Sequence, residues 1–253
     1  MARMVSEMVG SYAEKTWHNS CTRKDRRIMN TLKQKDCWYR QVCSEAPHGC
    51  TATCVRFAEM LNLMQMSNLP KYMWFPQSLY ADKDLAAFRQ LKVIKDDIKN
   101  WVKGGNSLYL YSRSFGNGKT SWAVKLMLAY FNQVWRGNCF RTRGIFISVP
   151  EFFDRERLRM NNQDDEFIRI RDSLLDADLV IWDDVSVVKM TDYASATFFN
   201  FIDARVLSGK ANIFTGNLDH EKLKEFVGGR LASRIWNTSQ VIEFVDEDKR
   251  GIR

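Results

Sequence analysis

The sequence predicts an α/β fold, a parallel sheet flanked by helices, and three observations predict it. Short apolar runs at residues 108–111, 144–149, 179–182 and 211–215 read as buried strands. Segments with apolar residues at helical spacing separate them, so strands and helices alternate from residue 107 to residue 244, as a doubly wound parallel sheet requires. The first strand also runs through a glycine-rich turn straight into a helix, the local geometry of a phosphate cradle.

That turn is Gly116-Asn117-Gly118-Lys119-Thr120, set between the strand Leu108, Tyr109, Leu110, Tyr111 and a helix marked by Trp122, Ala123, Leu126, Met127 and Tyr130. In a P-loop the backbone N–H groups and the helix N-terminus hold phosphates, the lysine neutralises β/γ oxygens and the hydroxyl of the next residue ligates magnesium. The candidate nucleotide-binding residues are therefore Ser114, Phe115, Gly116, Asn117, Gly118, Lys119, Thr120 and Ser121, with Lys119 catalytic and Thr120 a magnesium ligand. One position departs from G-x-x-x-x-G-K-[ST]: the pattern asks for glycine at position 113, and the chain has Arg113.

A second motif follows at residues 179–184, where an apolar strand ends in Asp183 and Asp184. This is a Walker B pattern, in which Asp183 binds magnesium and Asp184 orients or deprotonates the attacking water. Residues 192–207 read as a helix, and the strand at 211–215 delivers Gly216 and Asn217 to the same end of the sheet. Strand carboxyl ends converge on the ligand crevice, so Asn217 is a candidate for positioning the water.

With 253 residues, 45% hydrophobic and 27% charged, the chain resembles an ordinary globular protein long enough for a core domain and a smaller unit. No apolar run approaches membrane-spanning length and the N-terminus has no apolar signal core, so a cytoplasmic protein with no membrane partner is expected. The net charge of +8 suits a polyanion such as nucleic acid, and also serves solubility. Arg23, Lys24, Arg26 and Arg27, the pair Arg141 and Arg143, and the series Arg155, Arg157 and Arg159 each fit a solvated face or a DNA-facing one.

Five of the six cysteines precede Val55. Cys37, Cys43, Cys50 and Cys54 have the thiolate number of a tetrahedral zinc site, with an iron–sulfur cluster or plain reduced thiols as alternatives. His48, between Pro47 and Gly49, reads as a substitute ligand or a loop residue. Phe57, Met60, Leu61 and Met64 then form a helical stripe that is either core or a partner-binding face. Residues 69–80 read as an extended aromatic linker, and Asp82 as the cap of a helix that runs through Val102 to Gly104-Gly105. The expected division is a cysteine-rich, helical metal- and partner-binding module at 1–68 and an ATPase domain at 69–253.

The set FGNGKT, VIWDD, IFTGN and GGRLASRI, in this order, resembles the AAA+ ATPases of the bacterial replicative-helicase loader type, the DnaC/DnaI group, and in particular phage-encoded members with a cysteine-rich segment before the ATPase. The resemblance implies an ATP- and magnesium-dependent ATPase in a bacterial host cell that binds a replicative helicase, loads it onto single-stranded DNA and self-associates into a ring or spiral. It also implies that Asn217 is the sensor-1 residue and Arg234 the arginine finger reaching a neighbour's ATP, with Arg230 assisting and Arg250 at the sensor-2 position. Two other readings stay open: a nucleotide-gated adaptor or inhibitor of a host replication factor with little turnover, and a transposition-associated AAA+ regulator acting on double-stranded DNA.

Overall fold

The computed structural model describes residues 54–74, 79, 81–136, 141–159, 164–186 and 189–245. Cys37, Cys43, His48, Cys50, Arg250 and the basic segment 23–27 lie outside them. The chain divides into two compact units, Met1–Phe57 and Ala58–Arg253, and the second contains the whole sheet.

Helix α1 (Val55–Met66) leads through a short 3-10 turn at Lys71–Met73 to α2 (Leu85–Asp96) and α3 (Ile98–Lys103). Then follow β1 (Ser107–Tyr111), α4 (Lys119–Val134), β2 (Gly144–Ser148), α5 (Val149–Arg159), α6 (Asp165–Ser173) and β3 (Leu179–Asp183). The remainder is α7 (Asp192–Leu207), β4 (Ala211–Gly216), α8 (His220–Val227), α9 (Gly229–Thr238) and β5 (Ser239–Glu243). All the strand pairs are parallel, in the order β2-β3-β4-β1-β5. Among the described residues no helix is long and apolar enough to cross a membrane.

Both sheet faces are buried, which is why the strands read as unbroken apolar runs rather than alternating ones. Successive side chains still point to opposite faces. Tyr109, Tyr111, Ile145, Ile147, Val180, Trp182 and Phe214 share one core with Phe152, Phe167, Phe198, Leu223 and Leu231 from α5 to α9. The other face, with Leu108, Leu110, Phe146, Ile181 and Ile213, is covered by α4, on which α2 and α3 pack. Helix α4 approaches β2 so closely that a Cβ on Gly144 would stand 2.8 Å from the Phe131 ring. Side-chain oxygens cap three helices: Asp164 accepts from Phe167 N, Thr191 from Ala194 N and Asp219 from Lys222 N. Each such cap is worth about 1 kcal/mol.

Several boundaries differ from those expected. The helix predicted from Asp82 to Val102 starts as a 3-10 turn at Asp82–Asp84 and breaks at Asp97. Asp84 is buried and makes no cap; its carboxylate accepts from Val245 N at 2.7 Å and ties the helix start to the chain after β5. β2 ends at Ser148, and Pro150 sits in the first turn of α5, where its missing N–H costs nothing. On α1, Met60, Leu61, Leu63 and Met64 are buried, so most of this stripe is core. Ser67 and Asn68 after α1 extend the β2 edge, with Phe146 N donating to Ser67 O at 2.7 Å and Asn68 Nδ2 to Phe146 O at 3.0 Å.

Polar chemistry closes the amino end of the sheet. Arg205 is fully buried, its guanidinium donating to Leu174 O, Ala177 O, Ala211 O and Asn212 Oδ1. Nearby, Asp178 accepts from Tyr130, Arg141 and Arg143 at 2.8–2.9 Å, with Lys210 at 3.4 Å. Burial alone raises the Asp178 carboxyl, but the bonds from Arg143 and Tyr130 and the charges of Arg141 and Lys210 outweigh it, and the net shift is downward. Arg141 and Arg143 therefore serve an internal carboxylate.

Candidate nucleotide site

The residues of both sequence motifs meet at the carboxyl end of the sheet. Lys119, the first residue of α4, is buried and its Nζ donates to Ser114 O and Asn117 Oδ1, each at 3.0 Å. Asn117 is buried as well; its Nδ2 donates to Ser112 Oγ, which also accepts Ser114 N at 3.1 Å. Ser112 and Asn117 thus brace the loop from within. Gly118 precedes the helix at φ 93°, a left-handed value that a side chain rarely adopts. Phe115 is 60% exposed at the loop tip. Arg113, in place of the expected glycine, lies mostly in solvent and reaches Asp219 Oδ2 at 3.8 Å, an ion pair worth at most about 1 kcal/mol.

Thr120 Oγ1 donates to Asp183 Oδ1 at 2.7 Å, and the buried Thr215 Oγ1 donates to the same oxygen at 2.6 Å. Thr215 Oγ1 also accepts Asp184 N–H at 3.0 Å, so one hydroxyl orders both adjacent acids. Asp184 holds φ at 59°, a left-handed conformation that aspartate tolerates better than most residues. Asn217 follows β4, its N–H donating to Ser186 Oγ at 2.7 Å. The turn is tight: a Cβ on Gly216 would stand 2.6 Å from the Tyr109 hydroxyl.

Asp183 is short of positive charge. Burial pushes its carboxyl up to about 6; the Thr215 hydrogen bond opposes this, the Asp184 charge adds to it, and Thr120 and Lys119 oppose it. A hydroxyl and a buried carboxylate side by side at the start of a P-loop helix form the hard oxygen set that suits magnesium, and the missing charge is what a divalent cation supplies.

The sign of the pH dependence follows. The folded value of about 6 exceeds the ordinary 3.8, so the native chain binds more protons between them, and this stabilising contribution is lost as pH rises through 6. Asp183→Asn keeps an Oδ1 for both threonines and removes the charge. In metal-free buffer above pH 6 it is expected to stabilise the fold by up to about 3 kcal/mol, with no gain at pH 4. Urea unfolding at both pH values checks this, and added magnesium is expected to stabilise the wild type but not the variant.

The two arginines on α9 both reach α7, Arg230 from an exposed position. Arg234 pairs with Asp203 of α7 through Nη2, and Arg230 stacks on Phe199 of α7 at 4.0 Å. Cys54 is half-buried and in no disulfide, and among the described residues no cluster of metal-ligating side chains occurs.

The strand order β2-β3-β4-β1-β5, with the glycine loop after β1, the acids at the end of β3 and the polar amide after β4, decides the fold. It is the AAA+ P-loop fold. The DnaC helicase loader superposes with a TM-score of 0.56 at 18% identity, over 69% of this chain and 99% of that one. A putative primosome component from Streptococcus pyogenes serotype M3 gives 0.57 at 16% identity, over 75% and 98%. The replication initiator DnaA, bound to AMPPCP and single-stranded DNA, gives 0.51 at 23% identity, over 70% and 50%. No protein-family model matches the chain. No curated protein matches it in sequence.

Of the residues at this end of the sheet, Ser112, Ser186, Thr215 and Asp219 were not among those expected. Thr215 had a signal: it stands two residues before Asn217, on the sheet face that carries Asp183. Ser112 and Ser186 had none, because a serine after a strand is common and only their partners give them a role.

Proposed function

We propose that this chain is an ATP-dependent DNA replication protein that binds a replicative helicase and places it on single-stranded DNA. The observation that carries the ATP part is the meeting of Lys119, Thr120, Asp183 and Asp184, through one carboxylate oxygen shared by Thr120 and Thr215. The fold shared with a helicase loader, and with an initiator solved with AMPPCP and single-stranded DNA, supports the rest.

Lys119 exchanges Ser114 O and Asn117 Oδ1 for phosphate oxygens, and the N–H groups of residues 116–121 surround the same anion. Thr120 and Asp183 would hold magnesium, which would supply positive charge against the phosphate oxygens. Asp184 takes the proton of the attacking water and Asn217 orients that water. Arg234 is the trans-acting finger: on assembly into a ring or spiral it leaves Asp203 for the γ-phosphate of a neighbouring copy. The module before residue 69 would contact the helicase, with Cys37, Cys43, Cys50 and Cys54 holding zinc; metal analysis that finds neither zinc nor iron in the purified chain rejects that site.

The deciding experiment measures ATP turnover alone, with single-stranded DNA, and with a replicative helicase, together with capture of the helicase in the presence and absence of ATP. Turnover raised by DNA and ATP-dependent capture are expected. ATP binding without turnover would instead favour the nucleotide-gated adaptor, a reading supported by Arg113 at the glycine position and by the lysine held inside its own loop.

A further inference from the structure

We infer that the lysines of α2 and α3, exposed Lys92, Lys99 and Lys103 with half-buried Lys95, form a docking surface for the phosphate backbone of single-stranded DNA. The proposal rests on the reading of the chain as a DNA replication protein, and it locates on the molecule a contact that reading leaves unplaced.

Among the described residues, four of the arginines that the sequence offers for DNA are paired within the chain. Arg141 and Arg143 bond Asp178, Arg155 bonds Asp164 at 2.7 Å, and Arg157 lies 3.7 Å from Asp154. The lysines differ. Ala87, Leu91, Ile94, Ile98 and Val102 form the buried side of α2 and α3, and the lysines flank it one residue further on; Lys92, Lys99 and Lys103 are exposed and Lys95 is half-buried. Lys92 and Lys95 stand about one turn apart on α2, and Lys99 and Lys103 about one turn apart on α3, each pair separated by about 4.5–6 Å along its helix at 1.5 Å per residue. Among the described residues, only Lys95 of the four has a carboxylate within 4.0 Å, that of the adjacent Asp96.

The neighbouring helix adds to the positive field. Lys125 of α4 lies over the Trp122 ring at 5.0 Å, and its ammonium is pulled below the usual lysine range by burial and then by the charge of Lys95. Arg89, one turn before Lys92, is exposed and also lacks a carboxylate within 4.0 Å among the described residues. Positive charge on two neighbouring helices, with Asp96 the one carboxylate within 4.0 Å of the four lysines among the described residues, suits a polyanion, and the phosphates of single-stranded DNA provide one. An acidic protein or an anionic lipid surface would meet the same charge, and each is an outcome of the test below.

The test uses the full chain without nucleotide or helicase, and a labelled oligodeoxythymidine whose affinity is followed across a salt series. The variant Lys92→Gln, Lys95→Gln, Lys99→Gln, Lys103→Gln is expected to bind at least about tenfold more weakly at low salt, with a log–log salt slope shallower by about 0.7 per lost phosphate contact. The Lys→Arg variant at the same four positions is expected to keep both affinity and slope, and Arg155→Gln with Arg157→Gln to change neither. An unchanged slope in the glutamine variant, weakening of an acidic partner protein or phosphatidylserine vesicles in place of DNA, or no DNA binding by the wild type would overturn the proposal. ATP turnover and helicase capture are read separately, so loss of this surface with both retained leaves the replication reading intact.

Discussion

Lys119→Ala is expected to lower ATP turnover by a factor of roughly 10²–10³, the loss typical of removing one preorganised group that stabilises transition-state charge. Lys119 is buried at the start of α4 with its ammonium held by Ser114 O and Asn117 Oδ1, so it is aimed into the loop before any phosphate arrives. The loop's other cation, Arg113, stands in solvent beside Asp219. The fold is expected to survive, because Asn117 keeps its bond to Ser112 and the helix still starts from Gly118. Steady-state turnover together with thermal unfolding separates the two effects. Full turnover in a folded variant would remove Lys119 from the catalytic set and with it the P-loop assignment.

Arg205→Leu is expected to cost about 3–5 kcal/mol of stability, a large part of what a domain possesses. The guanidinium serves Leu174 O and Ala177 O before β3, Ala211 O in β4 and Asn212 Oδ1, which also accepts Trp182 Nε1 at 3.1 Å. Leucine would fill the volume and leave these buried acceptors without a donor. Burial pulls the Arg205 guanidinium down to about 9, so it is still charged at neutral pH, and its cost is carried by the four acceptors around it. Arg205→Lys is expected to recover only part of the loss, since an ammonium cannot match a planar fork. Urea denaturation gives the difference; a loss under about 1 kcal/mol would mean that water reaches these carbonyls.

The strands and the phosphate loop were legible because their signals are local. A doubly buried strand is a short apolar run, and Gly-x-Gly-Lys-Thr carries its own backbone geometry, so Lys119, Thr120, Asp183 and Asp184 could be read from neighbouring residues alone. The helix expected from Asp82 was only partly legible. Its apolar spacing was visible, but Asp84 turns from a cap to Val245 N, a residue 161 positions away.

By itself, the sequence determined the alternation of strand and helix, the glycine turn between β1 and α4 and the acids at the end of β3. Tertiary structure alone decided that Thr215 orders both acids and that Ser112 and Asn117 brace the loop. It also decided that Arg205 closes the amino end of the sheet, and which basic side chains face a carboxylate. The reason is physical. Apolar periodicity and turn chemistry act over a few residues, whereas a hydrogen bond or ion pair needs two groups within about 3–4 Å, and only the packed sheet brings β1, β3 and β4 that close.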